Sequence, residues 1–127
     1  MDALGRIHRS LMPGGVLLDL QPTLANAPVV NADSVLGRLD EREFRAVADR
    51  VNAALEETIR AGLFAHERDV LLEVVHRFNE APALLAEVAT WTGTRVPTAL
   101  QRRLKRSAPP FEVREGAKLR RLLVLKA

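Results

Sequence analysis

The chain has no cysteine. Disulfide frameworks, thiolate nucleophiles and thiolate metal sites are thereby excluded. Tyrosine is absent as well and aromatic residues make up only 4% of the sequence. Phe111 is the one aromatic residue of the basic C-terminal stretch, so stacking platforms for single-stranded nucleic acid are missing. No apolar run approaches the roughly 18 residues of a membrane span. The N-terminus lacks a basic region, a long apolar core and a small-residue cleavage site, which makes the cytoplasm the expected location. No G-x-G occurs, nor HExxH, a P-loop or Ser-His-Asp spacing. His8, His66 and His76 lack metal-ligand spacing, and each reads as a surface or interface residue. No side chain is assigned a catalytic role or a metal.

What is present describes one domain of 127 residues with 47% hydrophobic and 28% charged side chains. Net charge is +3, but it is unevenly placed. Residues 1–40 hold 3 basic and 4 acidic groups, residues 41–92 hold 6 and 10, and residues 93–127 hold 10 and 2. A basic tail of this kind reads as a solvated face or as a match to the acidic middle, with a nucleic-acid surface the less favoured alternative.

Leu4, Ile7 and Leu11 make one apolar helix face, with Asp2, Arg6, Arg9 and Ser10 toward water. Pro13 ends that helix, and Gly14 and Gly15 permit the turn into Val16 to Leu20. This strand is nearly all apolar, as expected for one buried on both faces, usually in a parallel sheet. A loop follows to Pro28, then a short hairpin over 29–36 turning at 31–34. Asp40 and Glu43 predict a capping box for a five-turn helix through Phe44, Val47, Val51, Leu55 and Ile59, ended by Gly62. The β-branched residues of 66–78 favour a strand over a helix. Asn79 then caps a helix from Glu80 to about Trp91, and Pro97 starts a basic one with Leu100 and Leu104 inward. The chain closes with Phe111 to Arg114, a reversal at Gly116 and Leu119 to Leu125, a predicted C-terminal hairpin over 111–126.

Leu4, Ile7, His8, Arg9, Leu11, Pro13, Gly14, Gly15 and the strand after them resemble the helix, "R-x-L-x-P-G-G" turn and fifth strand of class I S-adenosylmethionine-dependent methyltransferases. The passage from Arg77 through Pro82 to Leu100 resembles, more loosely, a region before the last two strands in one group of them. The resemblance implies an α/β fold in which Val16 to Leu20 lies beside an antiparallel C-terminal hairpin, packed by helices, with spatial order 16–20, 119–125, 111–114. The family's glycine-rich cofactor loop, ribose-binding acid and fourth strand precede this region, so the chain resembles the C-terminal half of such an enzyme. The isolated chain is then expected to bind no cofactor and to be inactive. S-adenosylmethionine enters only if a cofactor-binding part is supplied by another polypeptide.

Ligands in open α/β sheets bind beyond the carboxyl ends of the strands. Asp19 and Gln21 are therefore the candidate substrate-binding residues. With no fourth strand, Val16 to Leu20 presents a free edge guarded only by Asp19. A homodimer through that edge, or a cofactor-binding partner chain, is expected.

Overall fold

The computed structural model describes residues 3–23, 26–32 and 34–126. Asp2, the loop positions 24–25 and the turn residue Asp33 lie outside the described residues. Element order is α1 (Ala3–Ser10), β1 (Val16–Pro22), β2 (Pro28–Asn31), β3 (Ser34–Arg38), α2 (Arg42–Arg60), β4 (Phe64–Phe78), α3 (Ala81–Val88), α4 (Thr98–Arg106) and β5 (Phe111–Val124). The fold is mixed α/β, with a five-stranded sheet in which every pairing is antiparallel.

The sheet is organised around β5. Along one side it pairs with β4 from Phe78↔Phe111 to Phe64↔Val124, with one bulge between His66 and Arg68. Along the other side, β1 pairs with residues 117–123 and β2 with residues 112–113, so β1 and β2 stand end to end. β3 completes a hairpin with β2. The strand over 66–78 and the hairpin near 29–36 thus form, and β1 lies antiparallel beside the C-terminal strand.

The C-terminal hairpin over 111–126 does not form. Phe111 to Val124 is one unbroken strand, and Gly116 lies within it opposite Glu73. The physical reason is β4: fifteen residues of partner strand satisfy the β5 backbone along its whole length, which a local reversal would forfeit. Gly116 instead accepts the Thr23 N–H at 2.9 Å across the gap between β1 and β2. The spatial order is accordingly β4, β5, then β1 and β2 together, not three strands side by side.

β1 is also not buried on both faces. Leu18 and Leu20 are 60% and 59% exposed, while Leu17 packs against the core below. Among the described residues β1 pairs only with β5, so its opposite edge is open.

Side-chain alternation along β5 divides the hydrophobic core in two. Phe111 and Val113 point to one face, where Val29, Leu36, Leu39, Leu84, Val88, Leu100 and Leu104 bury them under α3 and α4. Leu122 and Val124 point to the other, where Leu55 of α2 and Phe64 close over them with Leu4 and Leu11 from the α1 side.

The helix ends have local causes. Gly14 takes φ +76° after Pro13, and its N–H reaches the Val124 carbonyl at 3.3 Å, fastening the turn to β5. Gly62 takes φ +79° and the Leu63 N–H returns to Thr58 O at 3.0 Å, closing α2 as a helix-terminating glycine should. The start of α2 departs from the expected capping box. Its N-cap is Glu41, whose side chain turns inward, while Asp40 accepts from Arg42 N and Glu43 pairs with Arg95 at 3.3 Å. α3 likewise starts after Glu80, with no side-chain cap from Asn79, and ends at Val88, short of Trp91.

Candidate functional site

The two sequence-derived candidates lie within β1, Asp19 at its middle and Gln21 near its carboxyl end, rather than beyond the strand as expected, and the structure joins them. Gln21 Nε2 donates to Asp19 Oδ1 at 2.9 Å. The other carboxylate oxygen of Asp19 accepts from Arg120 Nε at 3.1 Å. Cross-strand register places Asp19 directly opposite Arg120, both on the face toward α2. Arg120 is only 7% exposed, and its remaining donors go to Glu56 Oε1 at 3.1 Å and Asn52 Oδ1 at 2.5 Å. Its guanidinium thus has three acceptors, from β1 and from two α2 positions one helical turn apart.

Beside this network Gln21, Thr23, Asn52, Glu56, Lys118 and Arg120 line a cleft of about 200 Å³. That is below the roughly 300 Å³ at which small-molecule sites begin. Asp19 does not line it, because its carboxylate is engaged by Arg120 and Gln21. Of the two candidates, only Gln21 therefore faces the cleft. Arg120, Asn52 and Glu56 were not identified from sequence. One signal was available for Arg120: alternation within LRRLLVL puts it on the same face as Leu122 and Val124, where a cation requires an acid.

A second buried polar group lies where β1 and β2 separate. Glu41, 7% exposed, accepts the Ala27 N–H at 2.8 Å, and the Asn26 side chain accepts from Glu41 N at 3.1 Å. Burial pushes the Glu41 carboxyl above its ordinary value. The Ala27 hydrogen bond and Arg45 oppose the rise, and the nearby Glu115 carboxylate adds to it. Glu115 takes His76 Nε2 at 3.0 Å, and the His76 ring leans on Trp91 with centroids 4.9 Å apart. His66 meets Asp69 at 2.6 Å, and this bond is the main reason the Asp69 carboxyl lies below its ordinary value. His8 Nε2 lies 2.8 Å from Leu125 O. Among the described residues no three His, Asp or Glu side chains converge as a metal site.

Four of the ten cations of the basic tail are matched by the acidic middle. Arg95, Lys118, Arg120 and Arg121 pair with Glu43, Asp69, Glu56 and Glu67 of the acidic middle. The largest cavity described, about 500 Å³, is an apolar groove between α1 and α2 lined by Leu4, Val51, Ala54 and Leu63. No described helix is long and apolar enough to cross a membrane. No protein-family model matches the chain, nor does any curated protein or solved structure. What the fold itself defines is a mixed α/β arrangement with, among the described residues, an open β1 edge and a buried arginine network behind a small cleft.

Proposed function

We propose that the chain is a methyltransferase-like domain that carries out no chemistry alone and acts through a partner seated on the free edge of β1. One observation carries the reading. α1, the Pro13-Gly14-Gly15 turn and β1 are met by β5 lying antiparallel beside β1, as the resemblance implies, while the other edge of β1 stays open among the described residues.

Among the described residues β4, β3 and β1 each leave an outer edge open, β3 is only five residues long, and the charges on the two longer strands favour β1 as the docking edge. β4 carries Glu67, Arg68, Asp69, Glu73 and Arg77, charges that discourage strand addition. β1 carries Asp19 alone, already neutralised from within by Arg120. A strand added there gains main-chain hydrogen bonds worth roughly 0.5 to 1.5 kcal/mol each. A second copy of the chain meets this requirement, as does a cofactor-binding chain. The latter reading, in which the assembled pair methylates a small molecule with S-adenosylmethionine, rests on the resemblance alone, because the cleft beside Gln21 and Thr23 is too small to hold such a ligand without a further chain. A nucleic-acid module is the weaker alternative, because four tail cations are already paired.

Titration calorimetry of the isolated chain with S-adenosylmethionine tests the central claim, and no heat of binding is expected. Micromolar affinity overturns it. Hydrogen exchange along β1 tests the edge: outward-facing amides of 16–22 should exchange freely in the isolated monomer.

A further inference from the structure

One face of the sheet is covered over half its length. Toward Phe111 it carries the core beneath α3 and α4. Toward Leu123 it carries the exposed Leu18 and Leu20 of β1 and Leu72 of β4, the half-buried Leu119 of β5 and Val70 of β4, and Ala117 of β5 recessed among them at 8% exposure. Register arranges these in rows across three strands: Leu20 beside Leu119 and Val70, then Pro22 beside Ala117 and Leu72. A contiguous apolar patch of this kind marks an interaction surface.

The ends of the patch carry opposite charge. Arg121 and Arg68 share a row with Leu18 at one end, and Glu115, opposite Val74, closes the other. Arg68 is exposed and makes no salt bridge among the described residues, whereas Arg121 reaches Glu67 and Glu115 takes His76.

We propose that a second copy of the chain seats on this face, sheet against sheet, with strand directions reversed about a two-fold axis between the Leu119 and Ala117 rows. Reversal places the Arg121 and Arg68 row of each copy over the Glu115 row of the other, and sets the bulky Leu119 over the small Ala117. The unreversed stacking sets arginine over arginine and is disfavoured. The patch spans seven residues of β5, from Glu115 to Arg121, and up to three strands, a footprint of roughly 300 Å² per copy, under half that of a standard interface. The dimer therefore forms at high concentration and dissociates on dilution. This inference is independent of what occupies the edge of β1.

Sedimentation equilibrium of the full chain tests it. At ~100 µM the mass should be about twice 14.0 kDa, returning to the monomer near ~1 µM. Leu72→Lys should remain monomeric throughout. Leu71→Lys, one residue away on the opposite face and 75% exposed, should associate as the unmodified chain does. Arg68→Glu should weaken the dimer about tenfold, because reversal lays it over Val74, one strand away from Glu115, and sets like charges side by side. These positions are exposed, and circular dichroism verifies the fold of each variant. An unmodified chain that is monomeric at every concentration overturns the proposal and leaves the β1 edge to a different chain. Dimerisation of Leu72→Lys at unchanged strength also overturns it, and points to association elsewhere, the β1 edge included.

Discussion

Replacing Arg120 by methionine should be among the most damaging single changes in this protein. The guanidinium is 7% exposed and serves Asp19, Glu56 and Asn52 together. Methionine fills much of the same volume, so the loss is chiefly electrostatic. Removing one partner of a buried pair costs about 3 to 5 kcal/mol, because the other charge is left uncompensated. Two features lower that figure here. Glu56 is half exposed and rehydrates, and Asp19 keeps the amide of Gln21. We expect about 2 to 4 kcal/mol, measured by urea denaturation followed through the single tryptophan, Trp91. The companion variant Arg120→Met/Asp19→Leu removes both buried charges and should recover most of the loss. A cost below about 1 kcal/mol for the single variant, or a double variant as unstable as the single, refutes the view that this network is a desolvated pair dependent on both partners.

Two further outcomes follow from particular positions. Burial raises the Glu41 carboxyl, so the folded chain holds this proton to higher pH than the unfolded chain; its contribution is full below the ordinary value of 4.5 and is lost as pH rises through the folded value. Glu41→Gln, whose amide oxygen can still accept from Ala27, should therefore flatten the decline in stability above about pH 5, and an unchanged pH profile counts against that assignment. Gly93 has φ +69° and an added Cβ would lie 2.6 Å from Phe44 N, whereas Gly14 has φ +76° and open space around it. Gly93→Ala should cost about 2 kcal/mol or more and Gly14→Ala about 1 kcal/mol, an ordering that thermal unfolding of the two variants checks.

Local features of the chain were legible because their causes are local. The Leu4, Ile7, Leu11 spacing, Pro13 and the two glycines specify α1 and its turn, whereas 66–78 fits a helix as well as a strand, its β-branched residues only leaning to the strand that pairing with β5 then fixes. The capping box at Asp40 and Glu43 was misleading because Glu43 found Arg95 and Glu41 found Ala27, partners brought close only by the fold. Gly116 misled for a similar reason. A glycine within an alternating sequence reads as a reversal until a fifteen-residue partner strand holds it straight. The candidate site was half legible: Asp19 and Gln21 are neighbours on one face of one strand, but the arginine that captures Asp19 lies 101 residues away.

The sequence alone therefore determined most of the helical and extended segments, 66–78 excepted, that β1 carries little charge, and that cysteine chemistry is excluded. Those properties reside in side-chain periodicity, backbone freedom and composition. Only the tertiary structure decided that β5 is one strand, that its two halves bury opposite faces, and that β1 and β2 share its side. Each depends on backbone hydrogen bonds and desolvated charges between residues far apart in the chain, whose pairing register no local pattern encodes. For β1, the apolar run of Val16 to Leu20 was visible at once. That its outer edge and one of its faces remain open was settled by where β5 and the helices came to rest.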